Sequence, residues 1–326
     1  MIQHKMSTMP SEQELEQMCA RAGISDAQHF FPVETGRNPV IRIVTPARGA
    51  FLLKLSPRYG APVLTHERGA IRTELTAYDL IRSKTNVPIP RVIFSDFSGK
   101  CVPCDWFIME EPEGCPLSRV PRAARQSADI LRAVGEAAAQ MHAICGEGFG
   151  YEQWGFRTNW RDAYLEMTHN IIADAKRFGA EIPQVREVRE TIRHFERELD
   201  AVKTPSLVHF SLCAEHILIR QENGALLLGA ITSPGRAYWG DPAGDLTLLG
   251  REESFREGYR AAGGTLEPGY NLTARIQLMQ LYLELIRHAA AGIRFDRNSL
   301  PYKGAQLAAR RGIRQTLRRL HELEKG

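Results

Sequence analysis

Apolar and polar positions change period several times along the 326-residue chain, and each change marks an element. Ser11 and Glu14 stand three apart, a capping-box spacing, and Leu15, Met18 and Cys19 then mark one face of a short helix over 11–22. From His29 the period shortens. Segments 30–33, 40–44 and 50–55 read as an antiparallel meander whose turns carry Gly36, Arg37 and Asn38, then 46–49. Segment 66–83 returns to helical spacing through Ile71, Leu75, Tyr78 and Ile81. Val87-Pro88-Ile89-Pro90 stops that helix, and two more strand-like runs follow, 91–95 and 106–110. Segment 111–114 reads as a linker.

Beyond Pro121 the helical period dominates. Ile130, Leu131, Val134, Ala138 and Met141 define one helix; others are predicted at 160–178, 185–199, 253–262, 272–290 and 307–323. One stretch, 207–246, breaks this rhythm. An apolar run ends at His209, a short loop leads to Ile217-Leu218, and a turn at 222–224 leads to a second apolar run ending at Ile231. Gly240-Asp241-Pro242 then opens a helix. The pattern predicts an α+β chain, with a β-rich part over 1–110 and a helical part over 111–326.

Composition narrows the function classes. The 43% hydrophobic and 25% charged fractions are ordinary for a globular protein, and a net charge of +4 forces no attraction to nucleic acid. No apolar run reaches the roughly 18–20 residues of a membrane span, and the first residues lack the apolar core of a signal peptide, so a cytoplasmic location with reduced cysteines is expected. Cys101-Val102-Pro103-Cys104 has no second pair at zinc spacing and reads as a hairpin turn. Arg310, Arg311, Arg314, Arg318 and Arg319 crowd the outer side of the last helix, a solvated face or a surface for a protein partner.

Two charged residues carry the first chemical signal. Lys54 alternates with apolar neighbours in Phe51-Leu52-Leu53-Lys54-Leu55, a pattern that by itself suits a solvent-facing side chain. Glu74 in the following helix changes the picture, because a strand Lys held by a helix carboxylate is how a nucleotide phosphate clamp is built. Glu67 is the rival partner.

Taken in order, these parts resemble the aminoglycoside phosphotransferase and choline kinase family, which has a two-lobed, protein-kinase-like fold. The resemblance runs from about Phe30 to about Ala290. Its carriers are the Gly36–Asn38 turn, Lys54, Glu74, Val87-Pro88-Ile89-Pro90, Met109-Glu110, Met141-His142-Ala143-Ile144, Phe149-Gly150, and Gly240-Asp241-Pro242 with Asp245-Leu246. It implies a small antiparallel lobe, a larger helical lobe, and a nucleotide site at Lys54, Glu74, Gly36, Met109 and Glu110. It also implies a catalytic loop reading His-Gly-Asp, four residues, Asn, and later an Ile-Asp that binds magnesium.

Here that frame reads His209-Phe210-Ser211, then His216, then Ile231-Thr232. Phosphoryl transfer needs a carboxylate to orient the attacking hydroxyl and hard oxygen ligands for magnesium. Ser211 is no base at neutral pH, Thr232 offers a neutral hydroxyl, and the imidazole of His216 suits softer metals. Only His209 and Glu215 remain as candidates for residual chemistry, while the resemblance makes Asp241 and Asp245 supports for the loop. The expectation is a pseudokinase that binds a small molecule without phosphorylating it, sequestration of a drug or natural product being one concrete form. No cofactor is required, magnesium is not expected, and any ATP or GTP binding is weak or vestigial. Trp154, Trp160, Tyr164, Tyr238 and Trp239 are the candidate lining of the ligand cleft. Two alternatives stand beside this: an atypical small-molecule phosphotransferase or an enzyme of changed chemistry, and a protein-binding scaffold. Loss of two acids also points away from a polycationic ligand, toward an aromatic or anionic one.

Overall fold

The computed structural model describes residues 9–33, 38–266 and 269–325; Gly36 and the turn around it lie outside them. The N-terminal part is a five-stranded antiparallel sheet in the order β1-β2-β3-β5-β4. Its strands are β1 (His29–Val33), β2 (Val40–Thr45), β3 (Gly49–Leu55), β4 (Val92–Asp96) and β5 (Trp106–Glu110). Ahead of them α1 (Glu12–Arg21) starts on the capping box: Glu14 N–H donates to Ser11 Oγ at 3.2 Å and Ser11 N–H to Glu14 Oε2 at 2.7 Å.

Alternation along the strands decides what each face meets. Ile41, Ile43, Phe51, Leu53, Leu55, Trp106 and Ile108 bury one face against Leu15, Met18 and Cys19 of α1. Phe107, Met109 and Leu52 cover the other against Ile71 and Tyr78 of α2 (Ala70–Lys84). With helices on both faces, Lys54 is buried rather than solvent-facing. Helix α2 begins later than its apolar spacing suggested, because Gly69 takes a left-handed φ of 72° and separates it from a short 3₁₀ turn at Thr65–Glu67. Glu67 therefore leaves the α2 axis and pairs with Arg294 at 3.4 Å. Cys101–Cys104 forms the bend between β4 and β5, and burial pushes the Cys104 thiol up to about 11.

The C-terminal part is mainly helical, with α3 (Arg122–Arg125), α4 (Ala128–His142), α5 (Trp160–Arg177), α6 (Val185–His194), α7 (Glu196–Asp200), α8 (Ala243–Leu249), α9 (Glu253–Ala261), α10 (Tyr270–Arg294) and α11 (Leu300–Glu324). The 185–199 segment is two helices rather than one, broken at Phe195, whose ring is buried in the core. The last helix starts at Leu300 instead of 307, because the Ser299 hydroxyl accepts the Tyr302 N–H at 3.2 Å and Pro301 suits a first turn that needs no amide donor. Helix α10 is the axis of this part and packs against α5, α8 and α11. Gly135 of α4 and Gly258 of α9 let those helices meet backbone to backbone; an added Cβ would lie 2.1 Å from Phe255 O or 2.0 Å from Arg132 O. Strands β7 (Ser206–Val208) and β10 (Tyr238–Gly240) pair at the base, while β6 (Cys115–Pro116), β8 (Ile217–Glu222) and β9 (Ala225–Ile231) form a second small sheet. Thr65 joins the two parts, its N–H and hydroxyl donating to the buried Asp174 carboxylate at 2.6 and 2.9 Å. Among the described residues no helix is long and apolar enough to cross a membrane.

Candidate functional site

Strand β7 delivers the chain into a loop, residues 209–216, which hangs from one carboxylate. Asp245, in the first turn of α8, accepts the His209 N–H through Oδ2 and the Phe210 N–H through Oδ1, both at 2.8 Å. His142 Nε2 also meets Oδ2 at 3.1 Å, and the Tyr259 hydroxyl holds the other ring nitrogen at 2.9 Å. Burial alone would raise the Asp245 carboxyl; the bond and charge of His142 and the loop donors outweigh it and hold the group below the usual carboxylate range. Asp241, just ahead of α8, pairs with Arg275 at 2.9 Å and accepts the Ala243 N–H at 3.0 Å. Burial raises its carboxyl against the pull of Arg275. Asp245 supports the loop directly, whereas Asp241 braces the start of α8, the helix that carries Asp245.

The replaced positions bond to one another. His209 Nδ1 accepts the Ser211 N–H at 3.1 Å, so the proton sits on Nε2, which donates to the Thr232 carbonyl at 3.1 Å. Burial pushes His209 down to about 4, so the ring is neutral at physiological pH, with both nitrogens committed to hydrogen bonds. His216 Nδ1 donates to the Ser211 carbonyl at 2.7 Å. The Thr232 N–H and hydroxyl both reach the His216 carbonyl, at 2.9 and 3.2 Å. Magnesium does not fit this donor set: the Thr232 hydroxyl and a His216 ring nitrogen are committed to carbonyls, and neither position supplies the charged oxygens that hold magnesium. Among the described residues no group of three His, Cys, Asp or Glu is placed to hold a metal ion.

Lys54 is paired with Glu74 rather than Glu67. Its ammonium donates to Glu74 Oε1 at 2.7 Å and Oε2 at 2.6 Å, and to the Ser233 hydroxyl at 3.2 Å. An ammonium has three N–H donors, so this set exhausts them. The Tyr78 hydroxyl completes a ring, donating to Glu74 Oε1 at 3.3 Å and accepting the Ser233 N–H at 2.8 Å. Ser233 follows Thr232 and takes a left-handed φ of 63° to reach in. Met109 is buried against Ile71 and Tyr78, and the Glu110 carboxylate pairs with Arg91 at 3.1 Å.

The five aromatic candidates do not come together around a cleft. Trp160 stacks on Tyr238 at 5.3 Å, Tyr164 donates to the Leu278 carbonyl at 2.6 Å, and both pack within the helical core. Trp239 exchanges backbone bonds with Gly150, and Trp154 packs against Tyr151. Their spacing reported a core. The aromatic that shapes the loop is Phe210, whose ring lies 5.7 Å from Tyr282, stacked, and 5.2 Å edge-on from Tyr238. Its backbone φ of 53° belongs to the left-handed region. That conformation was readable from the glycine the resemblance places there; the direction of the ring was not.

A cavity of about 300 Å³ adjoins the loop, lined by Ser211, Cys213, Glu215 and His216 together with Arg236 and Arg287. Burial, reinforced by Glu215, pushes the Cys213 thiol up to about 11, so it is no ready nucleophile. A larger hollow of about 530 Å³ lies around Arg58, Glu67 and Arg177. Of its charged residues, Arg58 pairs with Glu14, Arg177 with Asp174 and Glu67 with Arg294, and it holds none of the loop residues.

Solved structures of similar fold include a protein named as an aminoglycoside phosphotransferase from Ralstonia eutropha JMP134, with TM-score 0.65 and 14% identity over 96% of this chain and 98% of that one. A protein named as a fructosamine-3-kinase from Thermobifida fusca YX-ER1 gives 0.65 and 20% over 92% and 99%. The spectinomycin phosphotransferase APH(9)-Ia, solved with ADP and spectinomycin, gives 0.60 and 11% over 98% and 100%. No curated protein sequence matches the chain. The family model described as the phosphotransferase enzyme family matches residues 32–275, which take in β2 to β5 of the sheet, the Lys54–Glu74 pair and the whole 209–245 loop system, and the chain belongs to that family.

Proposed function

We propose that this chain is a pseudokinase of the phosphotransferase family, a protein that holds a small molecule in the cavity beside its former catalytic loop without phosphorylating it. The carrying observation is the hydrogen-bond ring through His209, the Ser211 backbone, His216 and Thr232, which puts no carboxylate at the positions of the family's acids and commits the His216 ring and the Thr232 hydroxyl to carbonyls. The saturated Lys54 ammonium supports the same reading, since a phosphate would have to displace Ser233 to be bound. Sequestration of a drug or natural product is a concrete form; its support is the antibiotic named for the spectinomycin phosphotransferase.

Native mass spectrometry of the protein from its own host is expected to show a co-purified small molecule in stoichiometric amount. Thermal unfolding with ATP or GTP, with and without magnesium or manganese, is expected to show no metal-dependent nucleotide shift. The alternative of an atypical phosphotransferase would rely on Glu215, the exposed carboxylate at the cavity rim. A metal-dependent shift, with phosphate transfer lost in Glu215→Gln, would establish that alternative and overturn the proposal.

A further inference from the structure

Resting on that reading, we infer that the cavity beside the loop takes an anionic ligand, a small carboxylate or phosphate ester with an apolar body. Of the charged residues around it, Arg236 and Arg287 supply the cations, and Glu215 and Asp245 the acids. These acids are not equivalent. Both Asp245 oxygens are occupied by the His209 and Phe210 amides and by His142, so the carboxylate is buried behind the loop it supports. Glu215 is exposed at the rim, where water screens it.

Arg287 has donors to offer. Arg287 gives one N–H to Glu284 Oε1 at 2.6 Å, and its side chain is half exposed. A guanidinium carries five N–H donors in a planar fork suited to a carboxylate or phosphate. Ser211 adds a hydroxyl where a carboxylate would have repelled an anion. Leu212, Leu248 and Leu283 give the wall an apolar part, beside Cys213, His216 and Thr247. At about 300 Å³ the cavity stands at the small end of ligand pockets, which suits one ring and one charged group. An ammonium placed here would meet two arginines; of the nearby acids, Glu284 is taken up by Arg287 and Gln280, and Glu215 is screened.

Matched probes test the charge: phenyl phosphate and benzoate against benzyl alcohol and benzylamine, by calorimetry on the full chain after removal of any co-purified ligand. One or both anions are expected to bind, and comparing the two separates phosphate from carboxylate recognition. Arg287→Gln and Arg236→Gln should each weaken binding about tenfold, as expected for loss of charge-assisted hydrogen bonds. Glu215→Gln should strengthen it, a change of sign that general destabilisation cannot produce. Binding of benzylamine or benzyl alcohol in preference to both anions overturns the inference while leaving a non-catalytic binding protein intact. Unchanged anion binding in the Arg236→Gln/Arg287→Gln double variant also overturns it. Arginine-dependent anion binding together with phosphate transfer would sink the pseudokinase reading and leave this inference standing.

Discussion

Replacing Lys54 by Met leaves the Glu74 carboxylate buried with only the Tyr78 hydroxyl, 3.3 Å away, as its side-chain donor. Breaking a buried ion pair from one side costs about 3–5 kcal/mol, because the surviving charge loses its partner without regaining water. With an unfolding entropy of about 2.1 cal/mol/K per residue, a chain of this length carries roughly 0.7 kcal/mol/K, so the melting temperature should fall by about 4–7 °C. Replacing both partners, Lys54→Met with Glu74→Leu, removes the orphaned charge and fills the space with apolar groups. The only residual cost is the hydrogen bonds lost by Ser233 and Tyr78, about 1 kcal/mol each. The double variant should therefore melt well above Lys54→Met and within a few degrees of the unmodified chain. Differential scanning fluorimetry of the parent, Lys54→Met, Glu74→Leu and the double variant, with and without ATP and magnesium, reads both the coupling and its purpose. A structural pin gives the same pattern under both conditions. A single variant as stable as the parent would refute the burial argument. Nucleotide stabilisation of the parent that disappears in Lys54→Met would show instead that the ammonium still serves a phosphate.

Two further outcomes follow from the loop. Phe210→Gly relieves a left-handed conformation that costs about 1–2 kcal/mol for a residue with a Cβ, but it empties the space between Tyr238 and Tyr282, a loss of about 3–5 kcal/mol. The ring wins, and chemical denaturation should show net destabilisation of about 2 kcal/mol; a more stable glycine variant would mean that the ring is not packed as described. His209 has a folded value near 4 against an ordinary 6.5, so the unfolded chain binds the extra proton first as pH falls. Stability from this group is full above about pH 6.5 and declines to about pH 4, by roughly 3 kcal/mol. His209→Gln, whose amide can still donate to the Thr232 carbonyl, should flatten that part of the stability–pH curve; an unchanged slope would assign the proton elsewhere.

Much of the frame was legible in the chain. Capping at Ser11, alternation in 40–55 and the proline stop at 87–90 each depend on neighbours in sequence, so the elements they predict appear where expected. Boundaries failed where one residue's backbone state intervened, as at Gly69, or where a tertiary burial interrupted a helix, as at Phe195. The aromatic residues at 154–164 and 238–239 illustrate the limit of spacing: helical periodicity says that a face is buried, and a core and a ligand cleft bury the same kind of face.

By itself, the sequence determined the family frame, the antiparallel sheet followed by a helical part, and the exchange of acids for Ser211, His216 and Thr232, because all of these are statements of residue identity and local period. Only the tertiary structure decided what the exchanged residues do. Whether Lys54 faces water, Glu67 or Glu74 depends on helices covering both faces of the sheet, and whether it is available depends on Ser233, 179 positions away. Whether His209 is a base or a strut depends on burial and on a carbonyl contributed by another strand's end. Hydrogen bonds between residues far apart in the chain have no period, so the bonding of this loop could be read only once the fold had brought its members together.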